Sequence, residues 1–259
     1  MIQDFKTLYG TEADAQRARY AALDTAFAEE FGAADALEYF SAPGRTEIGG
    51  NHTDHNHGKV LAAAVNLDVI AAVKKTDNGV IRLKSAGYPM DTVDTADLAV
   101  KEEEKERSAA LIRGVCARLY ALGYKVGGFD AVTASRVLKG SGLSSSAAFE
   151  VLVVTILSHL YNDDVIDPVE AAQVSKYAEN VYFGKPSGLL DQMAASVGGF
   201  TTMDFADPAA PKIEKIDFDL GKFGYALCVV DTGGNHADLT GEYAAVPAEM
   251  KAVAAELGA

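Results

Sequence analysis

The spacing of apolar positions changes several times along the chain and predicts a domain in which helices and strands alternate. Helical spacing predicts helices over residues 11–31, where Tyr20, Leu23 and Phe27 recur, and over 108–122, 167–182, 189–197 and about 242 to the end. Apolar and β-branched runs predict strands over 37–41, 80–84, 129–135, 200–205, 212–218 and 225–231, and a pair of strands within 60–74. We therefore expect one α+β unit, a mixed β-sheet with packed helices.

The composition limits the kinds of partner that the chain can have. Its 259 residues carry a net charge of −14, which argues against nucleic acid and against an anionic membrane surface as partners. No apolar run reaches the length of a membrane span, so we expect a soluble, cytoplasmic protein. Cys116 and Cys228 each lie in an apolar segment, and both are expected to be buried, reduced thiols.

A run of small residues comes directly before an apolar stretch that begins at Phe149. Its members are Gly140, Ser141, Gly142, Leu143, Ser144, Ser145 and Ser146. The first turn of a helix has free backbone N–H groups and a partial positive charge, and small residues let an anion approach them. Serine hydroxyls can cap the helix, contact phosphate oxygens or bind Mg²⁺. The run therefore indicates either a nucleotide phosphate site or a Gly/Ser linker that caps a core helix.

A second unusual stretch, residues 45–58, is polar and dense for a structural connector. It contains His52, Asp54, His55 and His57, which could bind zinc because imidazole and carboxylate suit that ion. The same loop could instead hold a polyol, whose hydroxyls each donate and accept hydrogen bonds to Asp, Asn, His and Arg side chains. A solvated connector is the third interpretation.

Three ordered blocks of the sequence resemble one known family. The polar loop follows the string A-P-G-R-x-x-x-x-G-x-H-T-D-x-N-x-G from Ala42, and the small-residue run follows G-x-G-L-S-S-S-A-A from Gly140. Residues 178–192 are similar to A-E-x-x-F-x-G-x-P-x-G-x-x-D-Q. Together these blocks resemble the galactokinase family of the GHMP kinase superfamily.

This resemblance implies the fold of a GHMP kinase N-terminal domain, which is ribosomal protein S5 domain 2-like, and an ATP-dependent sugar 1-kinase that acts on D-galactose. Asp191 would be the catalytic base, with Arg45 keeping it ionised. Ser146 and Glu179 fall on the Mg²⁺-binding positions, and residues 140–146 on the loop that holds the ATP phosphates. The implied sugar contacts are Arg45, Asn51, His52, Asp54, Gly188, Asp191 and Tyr243.

The chain departs from the family pattern at three positions, and the first of them leaves the identity of the sugar open. Asn51 replaces the family's Glu, Glu47 replaces an Asn, and Ser108 stands where family members often place a Trp against adenine. We expect the strand segment 69–73 to supply the apolar wall for the base instead. The alternatives are a kinase for a related sugar such as N-acetylgalactosamine or arabinose, a non-catalytic sugar and ATP sensor, and a zinc hydrolase.

The length of the chain adds a further expectation. Galactokinase-like proteins continue into a second domain, and nothing after Tyr243 resembles its glycine-rich motif. We therefore expect residues 1–259 to be an N-terminal domain that turns over poorly by itself. Met250, Val253, Ala254 and Leu257 form an apolar stripe on the last predicted helix, and we expect this uncovered face to favour self-association.

Overall fold

A computed structural model describes residues 4–137, 140–207, 209–230 and 240–258, without the side chains of residues 240 and 242–244. The helices are α1 (Phe5–Tyr9), α2 (Ala13–Phe31), α3 (Ser108–Ala121), α4 (Ser145–Asn162), α5 (Pro168–Tyr177), α6 (Leu190–Val197) and α7 (Thr240–Glu256). A π-helical turn, Ala178–Phe183, follows α5. Among the described residues, no helix is both long and apolar enough to span a bilayer.

In the described residues, seven strands form one mixed sheet. They are β1 (Glu38–Gly49), β2 (Lys59–Lys75), β3 (Val80–Ser85), β4 (Met90–Asp94), β5 (Phe129–Ser135), β6 (Phe200–Asp204) and β7 (Lys212–Ile216). The order is β4-β3-β5-β2-β6-β7, with β1 on the other edge of β2. The β3–β5 pair is parallel and the other pairs are antiparallel, so β2 is the central strand that joins the two halves.

The central strand is buried on both faces, which explains its continuous apolar sequence. Side chains alternate along a strand, so Val69, Ala71 and Val73 pack against α3 and α4, whereas Ile70 and Ala72 face α2. A smaller cluster joins α5 and α6 to the start of β2 and to β6. The sheet therefore lies between α2 on one side and α3 to α6 on the other.

A buried carboxylate fastens the N-terminal helices to the sheet. Asp68 of β2 accepts hydrogen bonds from Tyr9 Oη at 2.6 Å, Ser41 Oγ at 2.8 Å and Arg19 Nη1 at 2.7 Å. The guanidinium and two hydroxyls compensate for the loss of water around the charge. One acid thus ties α1, α2 and β1 to the central strand.

The mixed sheet, the order of elements and the helices that begin at Ser108 and Pro168 confirm the expected α+β architecture. Three strand predictions were wrong. β1 does not stop at Ala42 but runs on through register shifts, residues 60–74 form one strand instead of two, and residues 225–230 are not a strand. The sequence interpretation also missed the short elements α1 and β4.

Two further expectations concern exposure. Cys116 is buried as expected, but Cys228 is exposed, because the segment that carries it lies outside the sheet. The apolar stripe of α7 is exposed at Met250, Val253 and Leu257. Self-association through this stripe stays a prediction.

Phe27→Ala should destabilise the domain strongly, because Phe27 is 2% exposed and packs α2 onto the sheet. We expect a loss of about 3–5 kcal/mol in the free energy of unfolding, measured by urea denaturation. The matched control is Phe223→Ala, at a side chain that is 64% exposed, which should change stability by less than about 0.5 kcal/mol. Equal losses at both positions would contradict the role assigned to α2.

Candidate active site

A largely buried ion pair joins the first and third of the sequence blocks described above. Arg45 in β1 donates from Nε to Asp191 Oδ1 at 2.7 Å, and its Nη2 lies 2.6 Å from the same oxygen. Asp191 is in the first turn of α6. Burial acts to raise the pKa of Asp191, but the charge of Arg45 and the hydrogen bonds from Ser144 and Arg45 outweigh it and hold the pKa below its ordinary value. Asp191 is therefore ionised at neutral pH.

The small-residue run lies directly against this pair. Ser144 Oγ donates to Asp191 Oδ2 at 2.7 Å, and Arg45 Nη1 donates to the carbonyl of Gly142. Gly142 has a φ of +75°, which favours glycine, and α4 begins three residues later at Ser145. Ser144 does not cap α4 through its side chain, because its hydroxyl is used on Asp191. The first turn of α4 and the Asp191 carboxylate thus lie on either side of one loop.

A second buried acid, Glu179, lies in the π-helical turn and is the hub of a polar network. Its Oε1 accepts from Ser146 Oγ at 2.8 Å and from Lys185 Nζ at 3.0 Å, and its Oε2 accepts from Gln192 Nε2 at 2.7 Å. Glu179 is 1% exposed, so this charge needs the ammonium group beside it. Burial lowers the pKa of Lys185, but the charge of Glu179 more than compensates and raises it overall.

The network extends to a third acid, Glu150, in the middle of α4. It is fully buried, and its Oε2 accepts from Gln192 Nε2 at 3.2 Å. Burial raises its pKa well above the ordinary value, and the charge of Glu179 raises it further. Glu150 Oε1 and Gln192 Oε1 are both buried without a partner among the described residues. A proton on Glu150 Oε1 turns one of these two unpartnered acceptors into a donor, so the neutral form is favoured.

The polar loop is anchored to α6 by Asp54. Asp54 Oδ2 accepts from the backbone N–H of Leu189 at 2.9 Å and of Leu190 at 3.1 Å, so this carboxylate caps the start of α6. A Cβ at Gly188 would lie 1.8 Å from the same oxygen, which explains why a glycine stands there. Asp54 Oδ1 is buried and has no partner among the described residues.

The structure brings Arg45 and Asp191 together with residues 142–144, and separately Ser146 with Glu179. Gly188 and Asp54 are in contact, while Asn51 and His52 are exposed in the adjoining loop. The side chain of Tyr243 lies outside the described residues. Which of these residues contact substrate or metal stays a prediction.

The prediction that residues 69–73 form an apolar wall for adenine is wrong. Residues 69–73 are buried on both faces of β2, so they offer no surface to a nucleotide base. Ser108, at the position noted for its missing Trp, begins α3 and donates from Oγ to Asp91 Oδ2 at 2.6 Å. The structural partner of Ser108 is therefore an acid of β4.

Three members of the buried polar network were not identified from the sequence as site residues: Glu150, Lys185 and Gln192. Glu150 had a visible signal, because it is a single acid inside the apolar series of α4. Lys185 and Gln192 lie within the third block, but their spacing alone does not show that they meet Glu179.

Comparisons with known proteins identify the family and the fold of this chain. The family described as GHMP kinases N terminal domain matches residues 110–199, and the Galactokinase galactose-binding signature matches residues 25–75. The mevalonate kinase of Methanococcus jannaschii shares the fold, with a TM-score of 0.59 at 18% identity over 73% of this chain and 58% of that one. The chain therefore belongs to the GHMP kinases and has the fold of their N-terminal domain.

Within that class, the relatives that resemble its sequence include galactokinases. The galactokinase of Streptomyces coelicolor is 37% identical over 90% of this chain and 59% of its own length, and that of Clostridium tetani is 31% identical over 81% and 53%. The crystal structure of Lactococcus lactis galactokinase complexed with galactose has a TM-score of 0.70 at 28% identity, covering 78% of this chain and 53% of that one. The chain thus spans between half and three fifths of the length of these relatives.

Glu150→Gln should stabilise the domain increasingly as the pH rises. The pKa of Glu150 is raised in the folded state, so the unfolded chain releases this proton first, above about pH 4.3. Between that pH and the folded pKa the wild type loses up to about 1.4 kcal/mol of stability per pH unit from this group, and glutamine does not titrate. Urea denaturation between pH 5 and 8 measures the widening difference.

The control for this experiment is Glu29→Gln, the same substitution at an exposed position of α2. Its unfolding free energy should run parallel to that of the wild type over the whole range. A parallel curve for Glu150→Gln as well would mean that Glu150 is ionised in the folded protein.

Proposed function

We propose that this chain is the N-terminal part of an ATP-dependent kinase that phosphorylates the anomeric hydroxyl of D-galactose. The observation that carries the proposal is the ionised carboxylate of Asp191, which is held by Arg45 and Ser144 directly beside the loop that leads into α4. A helix N-terminus with small flanking residues is suited to the ATP phosphates, here at residues 140–146. A proton acceptor beside a phosphate site is the arrangement that phosphoryl transfer to a hydroxyl requires.

The proposed reaction uses Asp191 as the base. The anomeric oxygen attacks the γ-phosphorus, the bond from that phosphorus to the leaving oxygen of ADP breaks, and the hydroxyl proton passes to the carboxylate. Because the pKa of Asp191 is lowered, the carboxylate is a weak base towards an unreacted hydroxyl. It accepts a hydrogen bond first and takes the proton as the new bond to phosphorus makes the oxygen acidic. Arg45 lies where it can also stabilise charge on the transferred group.

The residues present fit the magnesium ion that accompanies ATP in such kinases. Mg²⁺ prefers oxygen ligands, and Glu179 and Ser146 offer a carboxylate and a hydroxyl whose oxygens are 2.8 Å apart. The ammonium of Lys185 lies on the same carboxylate oxygen, so this position already accommodates positive charge. When bound, the ion would neutralise charge on the phosphate oxygens.

For the sugar we propose the loop between β1 and β2 together with the start of α6. The proposed contacts are Arg45, Asn51, His52, Asp54, Gly188, Asp191 and Tyr243. Asp54 is suited to this role because its Oδ1 is an acceptor without a partner among the described residues, while its Oδ2 is fixed by two backbone N–H groups. A rigid carboxylate of this kind can distinguish the orientation of a ring hydroxyl.

Asp191→Asn should reduce kcat by at least about two orders of magnitude, while calorimetry shows sugar and ATP affinities changed by a modest factor. The amide keeps the shape of the carboxylate but loses the charge that engages the hydroxyl. Formation of sugar 1-phosphate can be followed by ³¹P NMR at high protein concentration, which also detects slow turnover.

The matched control is Asp130→Asn, which also removes the acid of an Arg–Asp pair. Asp130 binds Arg82 between β3 and β5, with Arg82 Nε to Asp130 Oδ1 at 2.7 Å, outside the proposed site. This variant should retain the turnover of the wild type. An active Asp191→Asn variant would contradict the assignment of Asp191 as the catalytic base and favour a binding role for the site.

We predict that galactose is preferred over glucose, its C4 epimer, by more than about tenfold in kcat/KM. One lost hydrogen bond to a buried charged group costs about 1.5–3 kcal/mol, and Asp54 offers such a group. The screen should also include N-acetylgalactosamine and arabinose, since Asn51 stands at a proposed contact. Equal rates with glucose would contradict the galactose assignment, and a preference for N-acetylgalactosamine would keep the kinase but change its sugar.

A further inference from the structure

Three metal-binding side chains meet at one point of the loop between β1 and β2. His52, Asp54 and His55 each offer a ligand atom, and these atoms all lie within 4.8 Å of one another. The short 3₁₀ turn Thr53–Asn56 produces this meeting, because it folds the chain back on itself directly after His52. His57, two residues beyond His55, is outside the group.

One oxygen of the carboxylate in this group has no partner among the residues that the structure describes. Asp54 is 9% exposed, and its Oδ1 is buried with no hydrogen-bond partner among the described residues. A buried charged oxygen without a donor is unfavourable, so it stabilises a cation or donor that reaches it. Asp54 is also held in place, because its other oxygen accepts from the backbone N–H of Leu189 and Leu190.

A further acid supports one of the imidazoles. Glu47 Oε1 lies 3.8 Å from His52 Nδ1, and the same oxygen accepts from the His52 backbone N–H at 3.4 Å. A carboxylate facing one ring nitrogen is the usual partner of a metal-bound histidine, since it orients the ring and leaves the second nitrogen for the metal.

We propose that His52, Asp54 and His55 form a binding site for a zinc-class divalent ion. Two imidazoles and one carboxylate are the ligand set that zinc accepts, and they leave a fourth position for water. With bonds of about 2.0–2.2 Å, the ligand atoms must come together to within about 3.5 Å. His52 can make this adjustment because its side chain is 52% exposed. Mg²⁺ is disfavoured here, since it prefers oxygen ligands.

The site has a consequence for sugar binding, which rests on the proposed function. His52 and Asp54 are proposed sugar contacts, whereas His55 is not. A bound zinc ion therefore occupies Asp54 and competes with galactose, so zinc acts as an inhibitor that a chelator reverses.

The test is a calorimetric titration of the 259-residue protein with ZnCl₂, after removal of any histidine tag. A Cys228→Ser background excludes the exposed thiol as a competing ligand. We compare His55→Asn with His57→Asn, which is the same change outside the group; asparagine also tolerates the left-handed φ of +59° at His57.

One zinc ion per chain is expected in the background protein and in His57→Asn, with affinity lower by at least about tenfold in His55→Asn. Equal zinc affinity in all three proteins, or equal losses in both variants, would overturn the site. Thermal melts of the three proteins without zinc should coincide. The visible absorption spectrum of the background protein with Co²⁺ provides a second measurement that needs no variant. Intense visible bands typical of four-coordinate cobalt support the site, and their absence contradicts it.

Sugar titrations distinguish this inference from the proposed function. Zinc should raise the apparent galactose Kd of the background protein but not that of His55→Asn. If galactose does not bind at all, the proposed function fails while the zinc titration still decides the metal site. If galactose binds and zinc leaves its Kd unchanged, the competition is wrong.

Discussion

The arrangement of the candidate site depends on the buried pair between Arg45 and Asp191, two residues that are 146 positions apart. Leaving one member of such a pair without the other costs about 3–5 kcal/mol, so neither side chain can move away alone. Arg45 also holds the carbonyl of Gly142, and its backbone N–H donates to Leu143 O at 3.0 Å. One guanidinium therefore fixes the distance between β1, the loop before α4 and the start of α6.

In the second buried network, around Glu179, acidic side chains outnumber the basic ones. Glu179 and Glu150 both lie in the interior, and Lys185 is the single cation that contacts Glu179 among the described side chains. Two ionised carboxylates beside one ammonium would leave an uncompensated negative charge, so Glu150 keeps its proton while Lys185 pairs with Glu179. Glu179 remains available as a charged oxygen ligand near the first turn of α4, which is the property that the proposed magnesium site needs.

Sequence patterns predicted the fold better than they predicted the contacts. Helices with apolar faces and the strand Phe129–Ser135 were correct, because each has a clear period. The predicted strand β1 ended too early, because Pro43 and Gly44 usually end a strand. Here the glycine has another role, since a Cβ at Gly44 would lie 3.0 Å from the carbonyl oxygen of Leu143. The pairing of Arg45 with Asp191 followed only from family resemblance, since no local pattern relates residues so far apart.

The loop between β1 and β2 keeps its shape through backbone contacts that leave little room for side chains. A Cβ at Gly50 would lie 2.1 Å from Lys59 O, and one at Gly58 would lie 2.5 Å from Thr53 Cβ. Thr53 Oγ1 lies 2.9 Å from Gly50 O and 3.0 Å from Lys59 O, closing the loop on itself. Because the loop is already ordered, the binding energy of a ligand does not have to offset the entropic cost of ordering it. The same rigidity that suits the recognition of a ring hydroxyl therefore also holds Asp54 where a metal ion could bind it, and the choice between the two ligands depends on the imidazoles of His52 and His55.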